Sequence, residues 1–331
     1  MNVAPHNIPA SSSKDAQKPI DSDKKVNVFI LTGFLGAGKT TLLNNLLKQF
    51  EQEKNIVVEN EFGEVNIDKT LVEGNFRKVF EITGGCLCCN MDTELYDVLD
   101  QIARMDEKPH NLFLETTGIA DAGNLSAIFN EDFVQEVFHL RKMICVTDVE
   151  VVEDFLSKTT ETARQISASD LVLINKSGLV SEDYLAQVKN NLKRINPYAE
   201  FRATPDGSLD KKHLLTDNPA RPLFSIEPAS STEGLMHSIN SVLYETDSCF
   251  DLEKVQTVLQ MSLFIYYKDV YRIKGYIKDQ KGNPFILQSA GKTLSITPTQ
   301  QQFDKSHLVF IGHKLTQEIA DRLLKPAMVK P

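Results

Sequence analysis

The sequence predicts an α/β fold with a mostly parallel sheet, followed by a smaller α+β C-terminal domain, and three observations carry that reading. Short apolar runs alternate with amphipathic segments between residues 26 and 220. The first run enters a glycine-rich turn that opens a helix. Around Asn218 to Thr232 the texture changes to Pro219, Pro222, Pro228 and a serine pair, and beyond it apolar runs are joined by tight turns.

Val26 to Thr32 reads as a buried strand, and Leu42, Leu43, Leu46, Leu47 and Phe50 then fall on one helical face. Ile56 to Val58, Val79 to Ile82, Leu112 to Leu114, Met143 to Val146 and Leu171 to Ile174 read as further strands apolar on both faces, the mark of a parallel sheet. Leu95, Val98, Leu99 and Ile102 mark one intervening helix; Tyr184, Leu185, Val188, Leu192 and Ile195 mark another. In the second domain Val270 to Lys278 and Pro284 to Gln288 pair across Asp279 to Asn283. Leu308 to Ile311 forms another strand, and Thr316 to Leu324 a final helix. The expected organisation is a disordered tail at 1–25, a nucleotide-binding domain at 26–220, a linker at 221–235 and a C-terminal domain at 236–325.

With 41% hydrophobic and 24% charged residues, the 331-residue chain has globular composition, and no apolar run approaches the ~18 residues of a membrane span. A formal net charge of -9 argues against nucleic acid, which demands clustered Lys and Arg. Of five cysteines, Cys86, Cys88 and Cys89 crowd together while Cys145 and Cys249 stand apart, unlike the spaced frameworks of secreted domains. A reducing cytoplasm is the expected compartment.

Gly33-Phe34-Leu35-Gly36-Ala37-Gly38-Lys39-Thr40 matches G-x-x-x-x-G-K-[ST] between an expected strand and an expected helix. Its glycines let backbone N–H groups turn toward phosphate oxygens, and the helix N-terminus adds positive potential. Lys39 reaches the terminal phosphates, and Thr40 offers its hydroxyl to magnesium. Ala37 and Thr41 complete the cradle. Glu115, at the end of an apolar strand, is placed to hold the magnesium or its water, and Gly118 frees the backbone to approach the γ-phosphate. Lys39 and Glu115 are the expected catalytic residues. Asp148, ending the next strand, either supports the metal or caps the helix that follows.

Gly84-Gly85-Cys86-Leu87-Cys88-Cys89 falls in a loop on the carboxyl edge of the sheet, the same edge as the phosphate loop. Adjacent cysteines are ill placed for a disulfide, which wants α-carbons about 4.4–6.8 Å apart in a defined orientation. Three thiolates suit a borderline-soft cation such as zinc and leave one tetrahedral position for another ligand. Glu59 and Glu64 are candidate carboxylate ligands, because both follow the second strand toward that edge. A redox cluster or a buried apolar cluster is the competing reading of the thiols.

Together these residues resemble the CobW family of metal-chaperone GTPases, whose nucleotide-binding domain is of the CobW/HypB/UreG type. The stretches that carry the resemblance are Gly33 to Thr41, Glu59 to Asp68, Cys86-Leu87-Cys88-Cys89 and Glu115-Thr116-Thr117-Gly118, with Tyr271 to Gly275 and Leu308 to Gly312 in the second domain. The resemblance implies GTP and Mg2+ as ligands, and delivery of Zn2+, or of Co2+ or Fe2+, to a client metalloprotein. It also implies Asn175 and Lys176 as nucleotide-binding residues. The family's N-K-x-D base motif reads here Asn175-Lys176-Ser177-Gly178, so the carboxylate that hydrogen-bonds guanine is missing. Guanine selectivity is expected to be relaxed. The histidine-rich stretch of many members is absent too, leaving scattered histidines, of which His237 is the first to test as a transient ligand.

The leading expectation is therefore a nucleotide-hydrolysing metallochaperone. The competitors are a metal-sensing regulatory GTPase that does not transfer metal and a P-loop kinase with a structural zinc. Homo-oligomerisation stays open.

Overall fold

The computed structural model describes residues 25–59, 76–81, 91–116, 118, 122–216, 239–265 and 269–329. In the N-terminal domain the order is β1 (Val26–Thr32), α1 (Lys39–Gln49), β2 (Asn55–Glu59), β3 (Phe76–Glu81), α2 (Met91–Ala103), β4 (Asn111–Glu115), α3 (Ala122–Ile128), α4 (Asp132–Gln135), β5 (Phe138–Asp148), α5 (Val152–Lys158), α6 (Thr160–Ala168), β6 (Leu171–Asn175), α7 (Glu182–Ile195), β7 (Glu200–Ala203) and α8 (Lys212–Leu215). The seven strands form one sheet in the order β3-β2-β4-β1-β5-β6-β7, and every neighbouring pair is parallel.

The continuous apolar character of β1 follows from this architecture. Val28 and Ile30 pack on one face of the sheet with Leu95 and Leu99 of α2 and Leu125 of α3. Phe29 and Leu31 pack on the other face with Leu42, Leu43 and Leu46 of α1. A strand covered by helices on both sides has no solvent face on which polar residues could alternate. Because β1 lies between β4 and β5, the chain reverses direction across the sheet at β1, and the crevice at its carboxyl end is where such sheets bind ligands.

The second domain holds β8 (Ile239–Thr246), β9 (Cys249–Phe250), α9 (Leu252–Ile265), β10 (Val270–Lys278), β11 (Pro284–Ala290), β12 (Thr293–Pro298), β13 (Ser306–His313), α10 (Gln317–Leu324) and β14 (Met328–Val329). Its sheet runs β12-β11-β10-β13-β8, antiparallel throughout, and Val255, Leu259 and Leu263 of α9 pack with Leu324 against Ile273, Ile277 and Phe310.

Several boundaries differ from the sequence reading. The strand expected at Met143 to Val146 is β5, which begins at Phe138; its first half carries His139, Arg141 and Lys142, so no apolar run announces it. The third strand occupies Phe76–Glu81, and Ile82 lies outside the described residues. β8, α9 and β12 were not expected. β8 reads INSVLYET and β12 reads TLSITP, each with only a short apolar content, while α9 is apolar over much of its circumference and gives no clear periodicity. The tail at 1–24, the linker at 221–235 and His237 lie outside the described residues. Among the described residues no helix is long and apolar enough to cross a membrane.

Candidate nucleotide and metal site

The phosphate loop is shaped by steric exclusion. Gly33 has φ 132° and Gly38 has φ 103°, both in the region that L side chains avoid. A β-carbon on Gly33 would collide with the Val146 carbonyl oxygen, and one on Gly38 with the Asn175 side-chain amide. The loop therefore lies flush against the ends of β5 and β6. Gly38 forms the N-cap of α1 without a side-chain cap, and no acidic residue occupies the first turn, so the positive end of the helix faces the loop. Lys39 is 5% exposed; its Nζ donates to the carbonyl oxygens of Gly33 at 3.0 Å and Phe34 at 3.3 Å, which holds the ammonium inside the loop. Gly36 is exposed, Ala37 is buried in the core beneath the loop, and Thr41 sits exposed beside Gly207.

Thr40 Oγ1 donates to Glu115 Oε1 at 2.7 Å, bringing the first turn of α1 onto the end of β4. Glu115 is 2% exposed. Strand register places Glu59 beside Glu115, so β2 and β4 end on a row of buried acids, and β3 ends in register with them. Thr32 Oγ1, buried at the end of β1, has no hydrogen-bond partner among the described residues. Hydroxyl and carboxylate oxygens gathered beside a phosphate loop fit a hard divalent cation such as magnesium. Gly118 packs on the same loop: a methyl group there would come within 2.6 Å of the Leu35 backbone nitrogen, and its carbonyl accepts from Gln165 Nε2 at 3.1 Å.

The base side is built around Asn175 and Lys176. Asn175 Nδ2 donates to the Ala37 carbonyl at 2.8 Å and its Oδ1 accepts from the Lys176 N–H at 2.8 Å, so this side chain is committed to bracing the phosphate loop. Lys176 has φ 60°, and its Nζ bonds Asp148 Oδ2 at 2.6 Å. Asp148 does not cap α5, whose N-cap is Val151; its Oδ1 accepts from the Glu150 N–H while its other oxygen holds Lys176. Gly178 lies in the short 3-10 turn Ser177–Leu179, next to Pro205.

The loop following β7 joins the site at Thr204, whose carbonyl accepts from the Ser177 N–H at 3.0 Å. Thr204 Oγ1 and Ser208 Oγ donate to Asp206 Oδ1 at 2.9 and 2.7 Å, which lowers the Asp206 pKa, and Gly207 lies against Thr41 and Asn175. The loop thus lies beside Gly178 and the phosphate loop. Its only sequence signal was a T-x-D-G-S turn after a four-residue strand.

Of the proposed metal ligands, Glu59 is described and buried, whereas Glu64, Cys86, Cys88 and Cys89 lie outside the described residues. Among the described residues no three His, Cys, Asp or Glu side chains are grouped to hold a metal. Burial pushes the Cys145 thiol up to about 12, which removes it as a thiolate ligand, and Cys249 is buried as well. His213 contacts Glu200 at 3.1 Å, and His307 packs against Tyr276 and Phe303, its pKa lowered chiefly by burial.

Residues 27–203 match the model of the CobW/HypB/UreG nucleotide-binding domain, and residues 239–328 that of the cobalamin synthesis protein cobW C-terminal domain. The chain is 29% identical over 310 residues to the zinc chaperone YjiA of Escherichia coli, covering 88% of this chain and 96% of YjiA. It is 30% identical over 236 residues to zinc-regulated GTPase metalloprotein activator 1 of Schizosaccharomyces pombe, covering 69% of this chain and 57% of that protein. The crystal structure of Zn(II)-bound YjiA GTPase superposes with a TM-score of 0.67 at 25% identity, over 90% of this chain and 98% of YjiA. The two models together match both domains, and the chain belongs to the CobW/HypB/UreG family.

Proposed function

We propose that the protein is a GTPase that carries zinc, binding it near the nucleotide and delivering it to a client metalloprotein. The observation that carries this reading is the bond from Thr40 Oγ1 to Glu115 Oε1 at the mouth of a loop that holds the Lys39 ammonium. Those groups are what phosphoryl transfer to water needs: a cation against the terminal phosphates, and oxygen ligands on the far side. Thr40 and Glu115 would hold magnesium, which would supply positive charge against that developing on the phosphates. Lys39 supplies the fixed positive charge, α1 its N-terminal dipole, and Gly118 a backbone close to the loop.

The zinc half of the reading is supported by the names of the relatives, a zinc chaperone and a zinc-regulated GTPase metalloprotein activator. It is supported also by the C-x-C-C sequence after β3, the strand two places from β4 across β2. Glu59 sits in that shared row, so a metal ligated from β2 and a nucleotide sensed from β4 would act on adjacent strands.

Zinc titration against a competing chelator, in nucleotide-free, GDP-bound and GTP-analogue-bound protein, tests the coupling. Linkage requires the GDP and GTP-analogue states to differ in zinc affinity by the same factor with which zinc discriminates the nucleotides. Equal affinities would leave the thiols as a structural site. Lys39→Ala should lower kcat by about 100- to 1,000-fold while the fold persists; turnover within a few-fold of the parent would refute the hydrolytic assignment.

A further inference from the structure

Gln165 of α6 is fully buried. Its neighbours on that helix, Ala163 and Ile166, lie in the apolar core with Val149, Val152 and Val188. A primary amide in such surroundings is costly unless it is hydrogen-bonded. Its Nε2 donates to the Gly118 carbonyl at 3.1 Å, which ties α6 to the segment that leaves β4. That segment is held a second time at Thr116, whose N–H donates to the Leu31 carbonyl at 3.0 Å.

The two ends of the phosphate loop differ in what packs on them. At one end Asn175 bonds the Ala37 carbonyl and Gly207 lies against Thr41. At the other Gly118 lies so close to Leu35 that a β-carbon would come within 2.6 Å of its backbone nitrogen. Gly118 follows Glu115, the acid bonded to Thr40, so it meets the loop on the side of the terminal phosphate. The α6 end of this arrangement is in turn bonded to the second domain. Ser169 Oγ donates to the Gln165 carbonyl at 2.6 Å, and the Ser169 carbonyl accepts from Arg272 Nη1 of β10 at 3.2 Å. A continuous series of bonds thus runs from β10 through the last turn of α6 to the backbone that abuts the phosphate loop. The second domain also meets α3, which follows Gly118 in the chain: a β-carbon on Gly291, between β11 and β12, would come within 2.7 Å of Asn124 Oδ1.

We propose that Gln165 is a positioning residue for GTP hydrolysis, holding Gly118 against the phosphate loop, and that the docked second domain fixes Gln165 in place through Arg272 and Ser169. The inference rests on the reading that Gly118 meets the terminal phosphate. Groups already in place when charge develops need no reorganisation during the reaction, and a displacement of about 1 Å can cost about 100-fold in rate. Gln165 touches neither the phosphate loop's lysine nor the base side, so its loss should slow turnover and leave the diphosphate bound as before. Release of Ser169 by the second domain should act in the same direction, because both steps converge on one amide.

The test measures single-turnover GTP hydrolysis and the affinity for a fluorescent GDP analogue in the full chain, below the melting temperature of each variant. Gln165→Met keeps the length of the side chain and removes the donor; it should lower the hydrolysis rate by about tenfold to 100-fold while GDP affinity stays within about twofold, the split expected of a group that acts only on the triphosphate. Ser169→Ala and Arg272→Met should each lower the rate by a smaller factor. In the double variant with Gln165→Met, the Arg272→Met loss should largely vanish, as it does when two groups act through one contact. Gly118→Ala is the control for the underlying reading. A parental rate in Gly118→Ala refutes the role of Gly118 itself, and the proposal with it. A slow Gly118→Ala beside a Gln165→Met within about twofold of the parent, or with rate and GDP affinity falling together, overturns the proposal alone. Parental rates in both Ser169→Ala and Arg272→Met, or losses that multiply in full, overturn the part assigned to the second domain, and they do so even if Gln165→Met does not fold.

Discussion

Single atoms decide the chemistry around the nucleotide. Asn175 and Lys176 occupy the positions of a base-reading motif; the amide braces Ala37 and the ammonium holds Asp148. Guanine reading would fall to the fourth position, where Gly178 has no side chain. A β-carbon at Gly178 meets only Pro205 Cβ, at 3.4 Å, so a side chain fits. Gly178→Asp should therefore raise the preference for GTP over ATP by about tenfold or more, a hydrogen bond to a charged group being worth about 1.5–3 kcal/mol; competition binding with both nucleotides checks it, and an unchanged ratio would mean that the turn does not face the base. Lys274 makes a second prediction. Its folded pKa of about 8 lies below the ordinary lysine value of 10.5, through desolvation first, then repulsion from Arg272 and Lys142, with Asp170 opposing. Between those pH values the unfolded chain holds a proton that the folded chain has lost, so the parent gains stability as pH rises. Lys274→Met should raise the melting temperature at pH 7, and the gain should fade as pH approaches 10.5. A gain independent of pH would assign the effect to packing.

At the scale of the element, α6 is the part on which both domains lean. Its last carbonyls, with no helical partner of their own, are collected by Asn196, which is fully buried. Asn196 Nδ2 donates to Ile166 at 2.7 Å, Ser167 at 3.2 Å and Ser169 at 2.9 Å, while its Oδ1 accepts from the N–H groups of Tyr198 and Ala199. One side chain thus ties α6 to the turn between α7 and β7. Asn196→Ala strands buried carbonyls and N–H groups together, and a loss of about 2–4 kcal/mol is expected in chemical denaturation, since each orphaned buried group costs about 1–3 kcal/mol. A loss below about 0.5 kcal/mol would mean that water replaces the amide. At its other face α6 touches the nucleotide loop through Gln165 and the Gly118 carbonyl.

Across the whole molecule the same carbonyls join the domains, because Arg272 of β10 binds Ser167 and Ser169 from the opposite side. Tyr198 Oη adds a bond to the Lys274 carbonyl at 3.0 Å, and Arg164 lies over the Tyr271 ring at 5.2 Å. Arg272→Met should destabilise the protein, and in a double-mutant cycle with Asn196→Ala the two losses should couple by about 0.5–3 kcal/mol, as groups sharing partners do. Strict additivity would show that the second domain is held elsewhere.

The sequence by itself determined the parallel sheet, the phosphate loop and the acid that ends β4, because each has a local cause. Strands covered on both faces must read as apolar runs, and a loop pressed on β5 and β6 must have glycine at positions 33 and 38. It determined also the cluster of thiols as a chemical feature, whose placement lies outside the described residues. Only the tertiary structure decided that Asn175 braces the loop, that Asp148 pairs with Lys176, and that Thr204 to Ser208 stand beside Gly178. These contacts join segments far apart in the chain, and no periodicity encodes them. The contact between the domains was hidden for the same reason: Lys142 and Arg272 read singly as ordinary solvent-facing charges, and both are buried where β10 docks against β5 and α6.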